Sequence, residues 1–301
     1  MSLLGRLLNI SLTAVSLIAV APAAFAETKL DVLRSYYAVD PHLPLDVKIT
    51  REHDTPNSRV IEYSFTGFDN EPIRAVLEIP SVSGDASVPI AVLLHGITQS
   101  ADQWWRTDDG PYSFPASHRA ALLESNVAVM AFDLRNHGAR VQSHDFQNPY
   151  TYLEEGYLEA ARKMIAQSAM DLTRGLDTLS EFEGVDADRV SIVGFSLGAW
   201  VGYIGAALNE NVEKTLLIGM PFLDVSEGHT TSFTAQHLYA GAFNDRLVHF
   251  IGGTMDTFYD AEHIEGLVNE IGASARLTWV ESGHDFPHST ATITAQFLTP
   301  Q

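Results

Sequence analysis

Two spacings of apolar positions alternate along this chain. Val60 to Thr66 and Ile73 to Ile79 alternate apolar and polar residues, as half-buried strands do, and the turn-forming stretch Gly67 to Pro72 lies between them. The pair predicts an antiparallel hairpin at a sheet edge. From Ile90 to Leu94 the run is continuous and rich in β-branched residues and leucine, the mark of a strand covered on both faces. Further strands are expected at Val127–Phe132, at the run leading to Val193, at Thr215–Met220, at Leu247–Gly252 and at Arg276–Val280. Between them lie helical patterns at Pro115–Ser125, Tyr157–Phe182, the Ala/Gly-rich run after Gly198, Ala261–Ile271 and His288–Phe297. Leu30–Tyr37 reads as a short helix and Val47–Thr50 as extended.

Regular alternation of strand and helix over this length predicts one α/β domain: a mostly parallel central sheet flanked by helices. The irregular stretch Pro221–Arg246 reads as a small cap insertion. The long loop after Phe132 carries His137, His144, Phe146, Tyr150 and Tyr152.

Candidate chemistry clusters just after the expected strands. Gly194-Phe195-Ser196-Leu197-Gly198 follows a β-rich run and precedes a helix-compatible one. In that setting a Gly-x-Ser-x-Gly turn lifts the serine hydroxyl clear of the sheet and turns a helix N-terminus towards it. A serine hydroxyl needs a base, an acid to orient the base, and donors for an oxyanion. His284, in Ser282-Gly283-His284, is the candidate base, with His288 as the alternative. Asp256, in Gly253-Thr254-Met255-Asp256, is the candidate acid, with Asp224 and Asp260 as rivals that also follow strands. Ile97, after His95-Gly96, and Leu197 are the candidate oxyanion donors through their backbone N–H groups. His95 reads as a packed structural histidine. Trp104 and Trp105 are candidates for lining a substrate pocket, core packing being the alternative for both. No His-Glu-x-x-His or comparable ligand spacing occurs, so neither metal nor cofactor is expected.

With the order Ser196, Asp256, His284, the chain resembles the α/β-hydrolase superfamily from residue 27 to residue 301. The matching elements are His95-Gly96, Asp133-Leu134-Arg135-Asn136-His137-Gly138, Gly194 to Gly198, Gly253 to Asp256 and Ser282-Gly283-His284. The Asp133 turn is similar to one in dienelactone-hydrolase-like and prolyl-oligopeptidase-like enzymes, except that Asn136 stands where that turn has its first glycine. The resemblance implies a serine hydrolase, with Asp133 and Arg135 structural. The expected activity is cleavage of small to medium carboxylic esters through an acyl-enzyme. A serine peptidase and a non-catalytic binding module on the same fold are the alternatives.

Composition narrows the partners. The chain has 301 residues with 46% hydrophobic and 19% charged, a globular balance, and no cysteine, which excludes disulfides and a thiolate nucleophile. A net charge of −20, with only 18 Lys and Arg, argues against nucleic acid and against an anionic membrane surface. The expected partner is a small-molecule ester. Arg6, the apolar run Leu7–Val20 and Ala24-Phe25-Ala26 have the form of a signal peptide over residues 1–26. The expectation is therefore an exported protein, periplasmic or secreted, with no stable membrane insertion after cleavage.

Overall fold

The computed structural model describes residues 28–82, 86–141, 149–154, 156–222 and 233–299. Residues 1–26, expected to form a signal peptide, and Asp224, His144 and Phe146 lie outside the described residues. Nine strands form one sheet: β1 (Lys48–Asp54), β2 (Ser58–Thr66), β3 (Pro72–Pro80), β4 (Val88–Leu94), β5 (Ala128–Phe132), β6 (Val185–Phe195), β7 (Val212–Ile218), β8 (Leu247–Gly253) and β9 (Ala275–Val280), in the order β1-β2-β3-β5-β4-β6-β7-β8-β9. The strands from β5 across to β9 are parallel, and β1, β2 and β3 pair antiparallel at one side.

Alternate residues of the parallel strands feed two separate cores. Ile90, Val92 and Leu94 of β4 join the larger one, while Ala91 and Leu93 join the smaller. The larger face is covered by α4 (Leu158–Asp177), α5 (Leu197–Leu208) and α6 (Ala261–Ile271); the smaller is covered by α2 (Pro115–Glu124) and α7 (Ala291–Leu298). Every residue from Ile90 to Leu94 is fully buried, as a continuous apolar run requires.

The hairpin β2–β3 forms as the alternation predicts, but it is not the edge. β1 lies outside it, pairing from Lys48↔Ser64 to Asp54↔Arg59. The extended run expected at Val47–Thr50 is its start; all seven residues of β1 are exposed, so backbone pairing rather than an apolar face holds it, and no apolar spacing announces the rest. The helix expected over Tyr157–Phe182 is shorter. Its α-helical part ends at Asp177, and Thr178–Glu181 continues as a tighter 3-10 turn in which Thr178 Oγ1 donates to the Gly175 carbonyl. Within the long loop after β5, Pro149–Glu154 is helical (α3). The described part of the 221–246 insertion turns through Gln236–Phe243 and buries Tyr239 and Phe243 beside α5 and α6. Among the described residues, no helix is long and apolar enough to cross a membrane.

β4 is the point where the connections reverse direction. It pairs with β5 on one side and β6 on the other, so the loops leaving β4 and β6 diverge and leave a crevice at their carboxyl ends. Ligands of open α/β sheets bind in such crevices.

Candidate active site

Ser196 sits at the turn from β6 into α5 with φ 52 and ψ −118, a strained conformation for a residue with a side chain. Its flanking glycines are what allow the turn. A Cβ on Gly194 would lie 2.3 Å from the Gly198 carbonyl oxygen, and a Cβ on Gly198 would lie 2.2 Å from the Leu94 carbonyl oxygen. The first glycine lets the helix close onto its own strand, and the second lets it close onto β4. The Ser196 N–H donates to Ile218 O at 2.9 Å, which pins the turn to the end of β7.

The loops after β8 and β9 are joined in a similar way. The Thr254 N–H donates to Val280 O at 2.8 Å and the Met255 N–H to Ser282 O at 2.9 Å, extending the β8–β9 pairing beyond the sheet. That zipper faces Asp256 towards His284. His284 Nδ1 lies 2.7 Å from Asp256 Oδ2, and its Nε2 lies 2.8 Å from Ser196 Oγ. The Asp256 side chain is fully buried, and its Oδ1 accepts the Phe258 N–H at 3.0 Å, so both oxygens are engaged. The ring of His284 rests against Gly219, whose positive φ of 55 and missing Cβ leave room for it, and Phe258 covers it at 4.4 Å between ring centroids. The geometry suits a neutral imidazole that donates from Nδ1 and accepts the serine proton at Nε2.

Ser196 opens onto a cavity of about 390 Å³, lined also by Ile97, Leu197 and His284. Neither the Ile97 nor the Leu197 N–H has an acceptor among the described residues. Leu197 opens its helix, so it has no intrahelical acceptor either. Two unpaired donors beside a hydroxyl are what a developing oxyanion requires.

The rival residues are placed elsewhere. Asp260 is the exposed N-cap of α6, with its Oδ2 4.0 Å from His263 Nδ1. His288 is engaged by Ser117 Oγ at 2.6 Å on the far side of its loop. The pocket role expected of Trp104 and Trp105 is corrected. Trp104 is wholly buried in the smaller core, and Trp105 donates its Nε1–H to Glu78 at 2.9 Å beneath the Arg119 guanidinium. Neither lines the cavity. The 3-10 turn Ala101–Trp105 carries both indoles onto the α2 side of the sheet, away from the crevice.

The walls come instead from Tyr112, Met164, Ile165, Trp200, Pro221 and Phe258. Trp200 had a readable signal: it stands four residues after Ser196, one helical turn along the same face. Met164 and Ile165 had none, because a helix face towards a cavity and one towards a core share the same apolar spacing.

A second set of histidines and carboxylates lies at the ends of β4 and β5. His95 Nδ1–H donates to Gly96 O at 2.8 Å and its Nε2 accepts the Leu134 N–H at 3.0 Å, a pattern that only the neutral ring satisfies. Burial lowers its pKa to about 4. Asp133 accepts the Ala101 N–H and the Ala139 N–H, each at 2.9 Å, and so ties the turn before Trp104 to the turn after β5. A Cβ on Gly138 would strike the Asp133 carboxyl at 2.2 Å. Asn136 has φ 64, a left-handed position that asparagine tolerates better than most residues, which explains why it can stand in place of a glycine. Arg135 pairs with Asp69 at 2.6 Å and Arg140 with the buried Asp171 at 2.7 Å. Burial pushes the Asp171 carboxyl up even against that guanidinium. Among the described residues, no group of three or more acidic or histidine side chains is arranged to hold a metal ion.

Comparison with known proteins follows the same lines. No curated protein sequence matches the chain. Among solved structures, acetyl xylan esterase 1 from Thermoanaerobacterium sp. JW/SL YS485 superposes with a TM-score of 0.65 at 16% identity, over 90% of this chain and 93% of that one. The glucuronoyl esterase from Solibacter usitatus gives 0.64 at 12%, over 90% and 91%. A putative dienelactone hydrolase from Klebsiella pneumoniae gives 0.59 at 18%, over 79% and 95%. At such identities the likeness is one of fold. The model of the family described as "Alpha/beta hydrolase family" matches residues 91–299, a span that holds the elbow after β6 and the loops after β4, β8 and β9. The chain belongs to the α/β-hydrolase family.

Proposed function

We propose that this protein is a serine hydrolase of carboxylic esters, with Ser196 as nucleophile, His284 as general base and acid, and Asp256 as the group that orients the base. The observation that carries the reading is the unbroken relay from Asp256 Oδ2 through His284 to Ser196 Oγ, at 2.7 and 2.8 Å, at the wall of a cavity with two unpaired N–H groups. Solved neighbours that are named as esterases support esters over amides as the first substrates to try.

The chemistry runs in two halves. His284 Nε2 takes the Ser196 proton as Oγ attacks the ester carbonyl carbon. The carbonyl oxygen becomes an oxyanion held by the N–H groups of Ile97 and Leu197. The C–O bond to the alcohol breaks as His284 returns the proton to the departing oxygen. Water then attacks the acyl carbon as His284 takes its proton; the bond from Ser196 Oγ to the acyl carbon breaks as His284 returns that proton to Oγ, releasing the acid and restoring Ser196. Asp256 stays ionised throughout and stabilises the imidazolium.

The test is turnover of a p-nitrophenyl ester series from acetyl to long acyl, with aminoacyl anilides alongside and Ser196→Ala as control. Ester turnover that peaks at short to medium acyl chains and falls by about 10⁴-fold or more in the variant is the expected result. Anilide cleavage that matches the esters would move the assignment to a peptidase. Unchanged turnover in Ser196→Ala would end the proposal.

A further inference from the structure

No charged side chain lines the cavity, and one carboxylate lies directly behind its wall. Its lining includes Ser196, His284, Thr98, Gln99, Gln103 and Tyr112 as polar residues, and no lysine or arginine. Gln103 is already committed: its Oε1 accepts the Gly96 N–H at 3.0 Å and its Nε2–H reaches Tyr112 O at 3.4 Å. Immediately behind His284 the Asp256 carboxylate has no exposed side-chain surface.

Among the described residues, no lysine or arginine lines the cavity, and Arg162, next to Ala161 on α4, is not among its walls. All lysines and arginines except Arg6 belong to the described residues, and the segments outside them after position 28 contain neither residue type. The arginines on neighbouring elements are occupied. Arg106 is held by Asp108 at 2.6 Å and by Pro111 O at 3.1 Å, Arg119 by Glu78 at 2.6 Å, and Arg140 by Asp171 at 2.7 Å. Lys163 adjoins Met164 in sequence, but a helix turns successive residues about 100° apart. Met164 lines the cavity while Lys163 is exposed.

We infer that the site takes uncharged esters and rejects an acyl chain that carries a free carboxylate. The inference rests on the ester-hydrolase reading and specifies its substrate class. A carboxylate drawn into this cavity would lose its water, meet no cation, and approach the buried Asp256 charge. An uncharged polar group would lose little, because Thr98 and Gln99 supply neutral hydrogen-bonding partners at the β4 loop.

A symmetrical diester gives a self-contained test. Hydrolysis of dimethyl adipate adds water, releases methanol, and yields monomethyl adipate with one proton. That half-ester has the same chain and the same second ester, but carries one negative charge. In a pH-stat at pH 7.5 the wild-type enzyme is expected to consume one equivalent of base per diester and then stall. The kcat/KM of the half-ester is expected to be at least about 100-fold below that of the diester. Gln99→Arg, which adds a cation at the cavity wall, is expected to narrow that ratio by about 10-fold or more. A second equivalent of base consumed by the wild type at a comparable rate would overturn the inference and leave the ester-hydrolase reading intact. Absence of Ser196-dependent turnover of either ester would overturn both.

Discussion

Two His-Asp constellations stand at the carboxyl ends of this sheet, and they do opposite things. At the ends of β8 and β9, Asp256 and His284 reach Ser196 at the wall of a cavity. At the ends of β4 and β5, His95, Asp133 and His137 are buried to 1% exposure or less, and they bond to backbone groups. The residue types are the same, the strand-end positions are equivalent, and both sets carry a glycine turn. What separates them is the partner. A histidine whose two nitrogens are taken by backbone groups locks two loops together, whereas one placed between a carboxylate and a hydroxyl can move a proton.

The comparison can be broken most sharply at its two carboxylates. Asp256→Asn is expected to lower kcat for esters by about 10⁴-fold, because the amide no longer orients His284 or stabilises its charged form. Its melting temperature should change little. Asp133→Asn keeps the shape but leaves one oxygen to serve two N–H donors. It should cost about 2 kcal/mol of stability in urea denaturation, and turnover by the folded enzyme should stay within about 10-fold. If both variants lose activity at unchanged stability, the division between the two constellations is wrong.

A smaller effect separates the two aromatic sets. Trp104→Ala should destabilise by about 3–5 kcal/mol through the cavity it leaves in the smaller core, with acyl-length preference unchanged. Phe258→Ala removes a ring that is 40% exposed and covers His284, so stability should hold within about 1 kcal/mol while KM rises several-fold. Denaturation curves and steady-state kinetics on both variants check this.

The smallest effect per step is the pH dependence of stability. Burial lowers the pKa of His95 to about 4 and those of His118 and His137 to about 3. His118 is held neutral between Thr294 Oγ1 at 2.6 Å and Thr290 Oγ1 at 3.0 Å. Below the unfolded value of about 6.5 the unfolded chain takes up protons that the folded chain refuses. Stability should therefore be full above about pH 6.5 and fall as pH drops towards 4, by about 1.4 kcal/mol per pH unit for each such histidine once below that value. Chemical denaturation at pH 7.5, 6.5 and 5.5 measures the slope, and replacing His118 with a neutral residue should flatten it.

The sequence was legible where chemistry requires a particular backbone. Ser196, Asp256 and His284 could be read because each follows an apolar strand run and stands within or beside a glycine turn, whose steric reason the structure supplies at Gly194, Gly198 and Gly253. The βα alternation gave the parallel sheet for the same reason, since each strand buried on both faces must be apolar throughout. The pocket was legible only in part. Trp200 could be read from its place one helical turn after Ser196, but Trp104 looks as well suited to a wall, and only the rotation of its 3-10 turn takes it from the crevice. β1 was legible only at its start, as the extended run Val47–Thr50, because the rest of a strand held by backbone pairing alone has no apolar rhythm.

The most direct test of the central claim is covalent labelling. The protein would be treated with a fluorophosphonate at neutral pH, digested, and mapped by mass spectrometry beside His284→Ala. The account predicts one adduct, on Ser196, formed rapidly in the wild type and at least about 10³-fold more slowly in the variant. An unlabelled Ser196, an adduct on another residue, or equal rates in the two proteins would contradict it.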